Sequence, residues 1–169
     1  MASRVAALVL ALGLAGAAPA AAAPQADSEG WVAFEGAWSA TGHRHPIATE
    51  DGGSAATLEL SGAVILKKGA GLSLGFQGEV IGFDDGQGTS LGRCVWTDEH
   101  GDRIFSRVKG EPVATGRRVT GTITGGTGRY AGLTGEYSLT WQFVVASEDG
   151  TLQSRSVSLS GRVRRAGPQ

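Results

Sequence analysis

The stretch Gly121-Thr-Ile-Thr-Gly-Gly-Thr-Gly-Arg-Tyr-Ala-Gly-Leu-Thr-Gly-Glu-Tyr-Ser-Leu-Thr-Trp141 decides the fold. It opens with Val119, Gly121 and Ile123 alternating against Thr120, Thr122 and Thr124, the two-residue period of a half-buried strand. Gly125, Gly126, Gly128, Gly132 and Gly135 follow, and they are expected to supply the positive φ angles of a tight reversal. A second strand then places Tyr137, Leu139, Trp141, Phe143 and Val145 on one face, with Glu136, Ser138, Thr140 and Gln142 on the other. Strand, glycine-rich corner, strand is the repeating unit.

Working outward, the same unit recurs in looser form. Upstream, Trp31–Ser39 reads as a first strand with a bend or bulge at Gly36, and Thr41–Ser54 reads mostly as loop. Leu58, Leu60, Val64 and Leu66 line a second strand, and Leu72, Leu74, Phe76 and Val80 a third that runs to Phe83. A fourth covers Ser90–Trp96, with Cys94 and Trp96 on one face and Leu91, Arg93 and Val95 on the other. Asp84–Gly88 and Thr97–Asp102 are turns, and Arg103–Lys109 is the strand between the second of these and the central motif. Downstream, Ser147–Gly150 turns the chain into a last strand, Leu152–Val163. There Val157, Leu159 and Val163 alternate with Ser156, Ser158, Ser160 and Arg162. No long apolar pattern has the helical period. About eight short strands in an antiparallel meander must close or fold over to hide an apolar face and unpaired edges. An all-β, eight-stranded barrel is the expected architecture, with a sandwich as the alternative.

Composition narrows the function. The 169 residues, 41% hydrophobic, suffice for one core. A formal net charge of −1 lacks the concentrated basic surface that nucleic acid requires. Residues 1–23 have the form of a signal peptide: Arg4, an apolar run from Val5 to Ala18, and the small-x-small site Ala18-Pro-Ala20. The run is too short for a confident membrane span, and an uncleaved anchor is the alternative. A secreted or periplasmic protein with no stable span after cleavage is therefore expected. Residues 24–30 read as a flexible lead-in, 31–164 as the barrel domain and 165–169 as a tail. Cys94 is the single cysteine and is expected to be buried and inert.

The segment GTITGGTGRYAGLTGEY, Gly121–Tyr137, resembles the glycine-rich hairpin of the allene oxide cyclase barrel-like superfamily, to which dirigent proteins belong. The hairpin Trp96-Thr-Asp-Glu-His-Gly-Asp-Arg-Ile-Phe105 precedes it in the order found there. The resemblance implies an eight-stranded barrel with a central cavity, and often a homo-oligomer. Among its members, cyclases confine a reactive epoxide and dirigent proteins guide coupling or cyclisation of aromatic intermediates. Their functional polar residues have no residue-by-residue match here. Gly36-Ala-Trp38 also has the Gly-x-Trp form of lipocalin and avidin first strands, which again implies a small barrel with a mouth.

Several residues could carry chemistry. Trp96, Tyr137, Trp141 and Phe143 are core packing or, if a cavity persists, its walls. Glu79 and Arg93 lie within strands; they form either an inward pair able to orient a ligand or an outer cross-strand pair. His43 and His45 share one face of an extended segment and could share a metal if Asp84, Asp85 or His100 supplied a third ligand; a solvated loop beside Pro46 is the favoured reading, and no metal is assigned. Asp84-Asp85 and Asp98-Glu99 are explained by turn chemistry. No catalytic triad order, phosphate loop or cofactor fingerprint appears, and no cofactor is expected. Three readings stay open: a barrel binding a small apolar or aromatic molecule, a cyclase- or isomerase-type enzyme working by confinement, and a structural or interaction barrel with a filled interior.

Overall fold

The computed structural model of the chain describes residues 30–69 and 71–165; the signal peptide, most of the lead-in and most of the tail lie outside them. Eight antiparallel strands run in order: β1 Val32–Ala48, β2 Ser54–Lys68, β3 Gly75–Asp84, β4 Ser90–Thr97, β5 Arg103–Val113, β6 Gly116–Gly126, β7 Leu133–Ala146 and β8 Thr151–Arg165. Each pairs with its neighbour in sequence, and β8 pairs with β1 to close the barrel. Closure removes both sheet edges, so every strand has two partners. Among the described residues there is no α-helix, only a three-residue 3-10 turn, Gly128–Tyr130. The described residues contain no helix long and apolar enough to cross a membrane.

The meander gives the barrel two distinct ends. The β1–β2, β3–β4, β5–β6 and β7–β8 turns lie at one; the β2–β3, β4–β5 and β6–β7 connections lie at the other, with the start of β1 and the end of β8.

A chain of aromatic rings fills the interior between them. Tyr130 packs on Phe76 (5.8 Å between centroids), Phe76 on Trp96 (5.8 Å), Trp96 on Trp38 (6.3 Å) and Trp38 on Trp141 (5.2 Å). Phe34 and Tyr137 flank Trp96 at 6.1 and 5.0 Å. Tilted and edge-on pairs of this kind add about 0.5–1.5 kcal/mol each beyond the area they bury. Tyr137 fits because Gly121 and Gly161 stand beside it on β6 and β8; a Cβ at either would run into the ring or its Cβ.

Four readings from sequence need correction. Residues 41–48 are strand, not loop: β1 stays paired to β2 as far as Ala48 opposite Ser54, and Thr41, His43 and His45 face solvent. Leu72 and Leu74 belong to the β2–β3 connection, with Leu74 exposed. Gly126 and Gly135 are absent from the positive-φ positions of the corner, which are Gly125, Gly128 and Gly132; backbone oxygens of Arg103 and Arg162 crowd the former two instead. In β8 the alternation changes phase at Ser158, whose φ of 62° marks a bulge. Leu152, Ser154 and Ser156 point inward before it and Leu159 and Val163 after it, leaving Val157 on the outside. The inward serines stitch the closing seam: the Trp38 amide donates to Ser156 Oγ at 2.7 Å, and Ser154 Oγ donates to the Ala40 carbonyl at 3.2 Å. Gly36 sits at a register shift, as its bulge reading expects.

Candidate functional site

The terminal end of the barrel is filled. The 3-10 turn drives Tyr130 into the interior, where it has no exposed surface. Its hydroxyl accepts the Ser73 amide at 3.3 Å. Burial and the contact with Asp98 push the Tyr130 phenol up to about 12. Asp98 is itself buried. Burial works to raise its carboxyl, but hydrogen bonds from Tyr130, Arg129 and the amides of His100 and Asp102 prevail and hold it at about 2. Arg129 Nε lies 2.7 Å from Asp98, and its Nη2 reaches Glu99 at 3.1 Å. Glu99 is held at about 2, chiefly by Ser73 Oγ at 2.5 Å. Here the polar groups satisfy one another.

The opposite end holds a cavity of about 70 Å³. Trp38 and Trp141 reach it from β1 and β7, Leu58 and Leu60 from β2, Val80 from β3, and Val108 and Val119 from β5 and β6. Gly82, Gly92 and Gly110 on β3, β4 and β5 also line it; at Gly82 and Gly92 a Cβ would crowd the backbone oxygens of Leu91 and Ile81. Phe143 stands at the rim, 40% exposed. A Cβ on Gly110 would lie 3.5 Å from Ser90 Oγ and 3.8 Å from Arg117 Cδ, so these two side chains flank one gap in the wall.

The polar groups here are incompletely used. Asp84, at the end of β3 and buried, takes the Arg117 Nη2 group on one oxygen and the Gly86 amide at 3.0 Å on the other. Arg117 Nη1, Ser90 Oγ, and the indole nitrogens of Trp38 and Trp141 are buried and have no hydrogen-bond partner among the described residues. A buried donor left in this state costs roughly 1–3 kcal/mol. Trp96 Nε1 shares the condition but lies deeper in the aromatic chain, away from the cavity lining.

The residues singled out from sequence separate into three places. Trp141 and Phe143 line the cavity. Trp96 and Tyr137 belong to the packed middle, where the Tyr137 hydroxyl and Ser106 Oγ stand 2.9 Å apart. Glu79 and Arg93 are exposed on the outer wall: Cys94 and Trp96 take the inward face of β4, which sends Arg93 outward, and no ion pair joins Arg93 to Glu79 among the described residues. Cys94 is 1% exposed, and burial pushes its thiol up to about 11, against any role as a nucleophile. His43 and His45 share the outer face of β1 with their rings stacked at 6.1 Å. Among the described residues the acidic and histidine groups that do converge are Asp98, Glu99 and His100, and Arg129 already engages both of those carboxylates.

Asp84, Ser90, Gly110 and Arg117 are the site residues that sequence reasoning missed or assigned to turns alone. A signal for Arg117 existed: the alternation that turns Ile123, Gly121 and Val119 inward reaches Arg117 two residues further upstream. No protein-family model, curated protein or solved structure matches the chain.

Proposed function

We propose that this protein is an exported binding barrel that takes a small apolar or aromatic molecule into the turn-end cavity. The carrying observation is the apolar cavity between Trp38, Leu60, Val80 and Trp141, open at one end of a barrel whose other end is filled. Small-molecule sites are mostly apolar, and the exposed wall of this cavity is apolar throughout. The space is about half of the ~150 Å³ that accommodates benzene in an engineered cavity, so a ligand of ring size inserts only in part and extends into the mouth. Membership of the allene oxide cyclase-like superfamily belongs to the same proposal, supported by the eight-stranded meander and by the glycine-rich corner at its β6–β7 position. Arg4 and the apolar run up to Ala18 support export.

The test is native mass spectrometry of the protein exported with its own N-terminal segment and purified gently. A mass excess that disappears on denaturation is expected. A bare mass, together with no thermal shift from any of a panel of small apolar and aromatic compounds, contradicts the proposal.

A further inference from the structure

We propose that the Arg117–Asp84 ion pair is a crossbar at the turn end that gauges the cavity, admitting apolar groups narrower than an aromatic ring and keeping rings out of its depth. This rests on the binding reading above and names what limits the size of the ligand. β6, which carries Arg117, and β3, which carries Asp84, stand three strands apart in the closed wall of eight. An ion pair between them therefore bridges the interior past β4 and β5. The residues it passes are small. Ser90 lies opposite both Asp84 and Gly110, and Gly110 lies opposite Val119, two residues from Arg117. A Cβ on Gly110 would come within 3.8 Å of Arg117 Cδ, so the arginine stem lies over the wall where Gly110 has no side chain.

Arg117 is among the lining residues, yet the exposed wall is apolar throughout, so its methylene stem borders the space and its charge does not. The head group is enclosed at the far end of the bar. Nη2 is engaged by Asp84, Nη1 is buried, and the second Asp84 oxygen takes the Gly86 amide at 3.0 Å. The two side chains are only 21% and 12% exposed. An arginine stem on a surface swings freely; this one is tied by its backbone at one end and by Asp84 at the other. Displacing it would leave a mostly buried carboxylate without its partner, which is strongly unfavourable. Gly82 and Gly92, paired across β3 and β4, bring no side chain that could take its place. The cavity of about 70 Å³ is the space that the bar leaves.

Xenon and benzene, a small apolar probe and a ring, test the gauge. The full chain, labelled at its indole nitrogens, is titrated with each and followed by NMR at Trp38 and Trp141, which both line the cavity. In the native chain xenon is expected to shift both resonances and benzene to bind weakly. Arg117→Ala/Asp84→Ala removes the bar and leaves neither charge unpaired. There benzene should bind at least about tenfold more tightly, the effect of burying roughly two further methylene-sized groups, while xenon changes little. Asp84→Ala unties the bar but keeps the arginine; it should give a smaller gain in the same direction, and it decides the matter if the double variant does not fold. A pair that only supports the fold would alter the melting temperature of these variants and leave their preference between the two probes unchanged. Benzene bound no more tightly by either variant than by the native chain overturns the gauge, and the binding reading stands if xenon still enters. Xenon that moves neither indole overturns both.

Discussion

The two ends of the barrel are built from the same materials and put them to opposite use. At the terminal end, a tyrosine, an arginine and two carboxylates close on one another: Tyr130 plugs the interior while Arg129 spans Asp98 and Glu99. At the turn end, an arginine and a carboxylate also pair, but Arg117 keeps Nη1 unpartnered beside glycine-lined space. Part of the difference lies in the connections. The six-residue β6–β7 connection folds into a 3-10 turn that delivers Tyr130 inward, whereas the two-residue β5–β6 turn has nothing to send. Polar groups that satisfy each other contribute stability, whereas a buried donor left over costs it.

Truncating the aromatic residue at each end should give the largest contrast. Tyr130→Ala removes a fully buried ring and is expected to cost about 3–5 kcal/mol by denaturant unfolding. Phe143→Ala, at the exposed rim, should cost under about 1 kcal/mol, as substitutions outside the core usually do. Equal losses would mean that the turn end is packed as firmly as the other.

Acid should act on the terminal end selectively. Asp98 and Glu99 fall from ordinary values of 3.8 and 4.5 to about 2 on folding. Carboxyls depressed in this way stabilise the fold above their ordinary values, and that stabilisation is lost as pH falls through the folded value. Stability should therefore decline between about pH 4.5 and 2, and Arg129→Gln should flatten part of that decline. A profile identical in the variant would show that Arg129 does not set these carboxyls.

The smallest expected change in stability comes at the cavity. In Gly110→Ala the new methyl meets only ordinary contacts of 3.4–3.8 Å with Ser90 and Arg117. Unfolding free energy should move by less than about 0.5 kcal/mol, the usual range for a substitution that disturbs no packing. Small-molecule binding should nonetheless weaken several-fold, because the methyl fills the gap between these two side chains. Undiminished binding would place the ligand elsewhere.

Much of this fold was legible in the sequence because two-residue alternation and turn glycines are local signals. The faces of β2, β6 and most of β7 follow from alternation alone. It failed where geometry is set by a partner strand. The Ser158 bulge is one such place: nothing in Ser154–Ser160 announces that the phase changes there, because the irregularity answers register breaks in β1 and β7. Arg93 and Glu79 were ambiguous because inward and outward are properties of the closed barrel, and the apolar pair Cys94 and Trp96 prevailed over Leu91 and Val95. The site was less legible. Trp141 and Phe143 could be nominated from their size, but the meeting of Asp84, Ser90 and Arg117 depends on three strand ends converging.

The most direct measurement is a crystal of the protein pressurised with xenon, an apolar probe that needs neither charge nor hydrogen bond. The account predicts xenon within the turn-end cavity, among Leu58, Leu60, Val80 and Trp141, and none beside Tyr130. A barrel that takes up no xenon, or takes it up at the Tyr130 end, would contradict it.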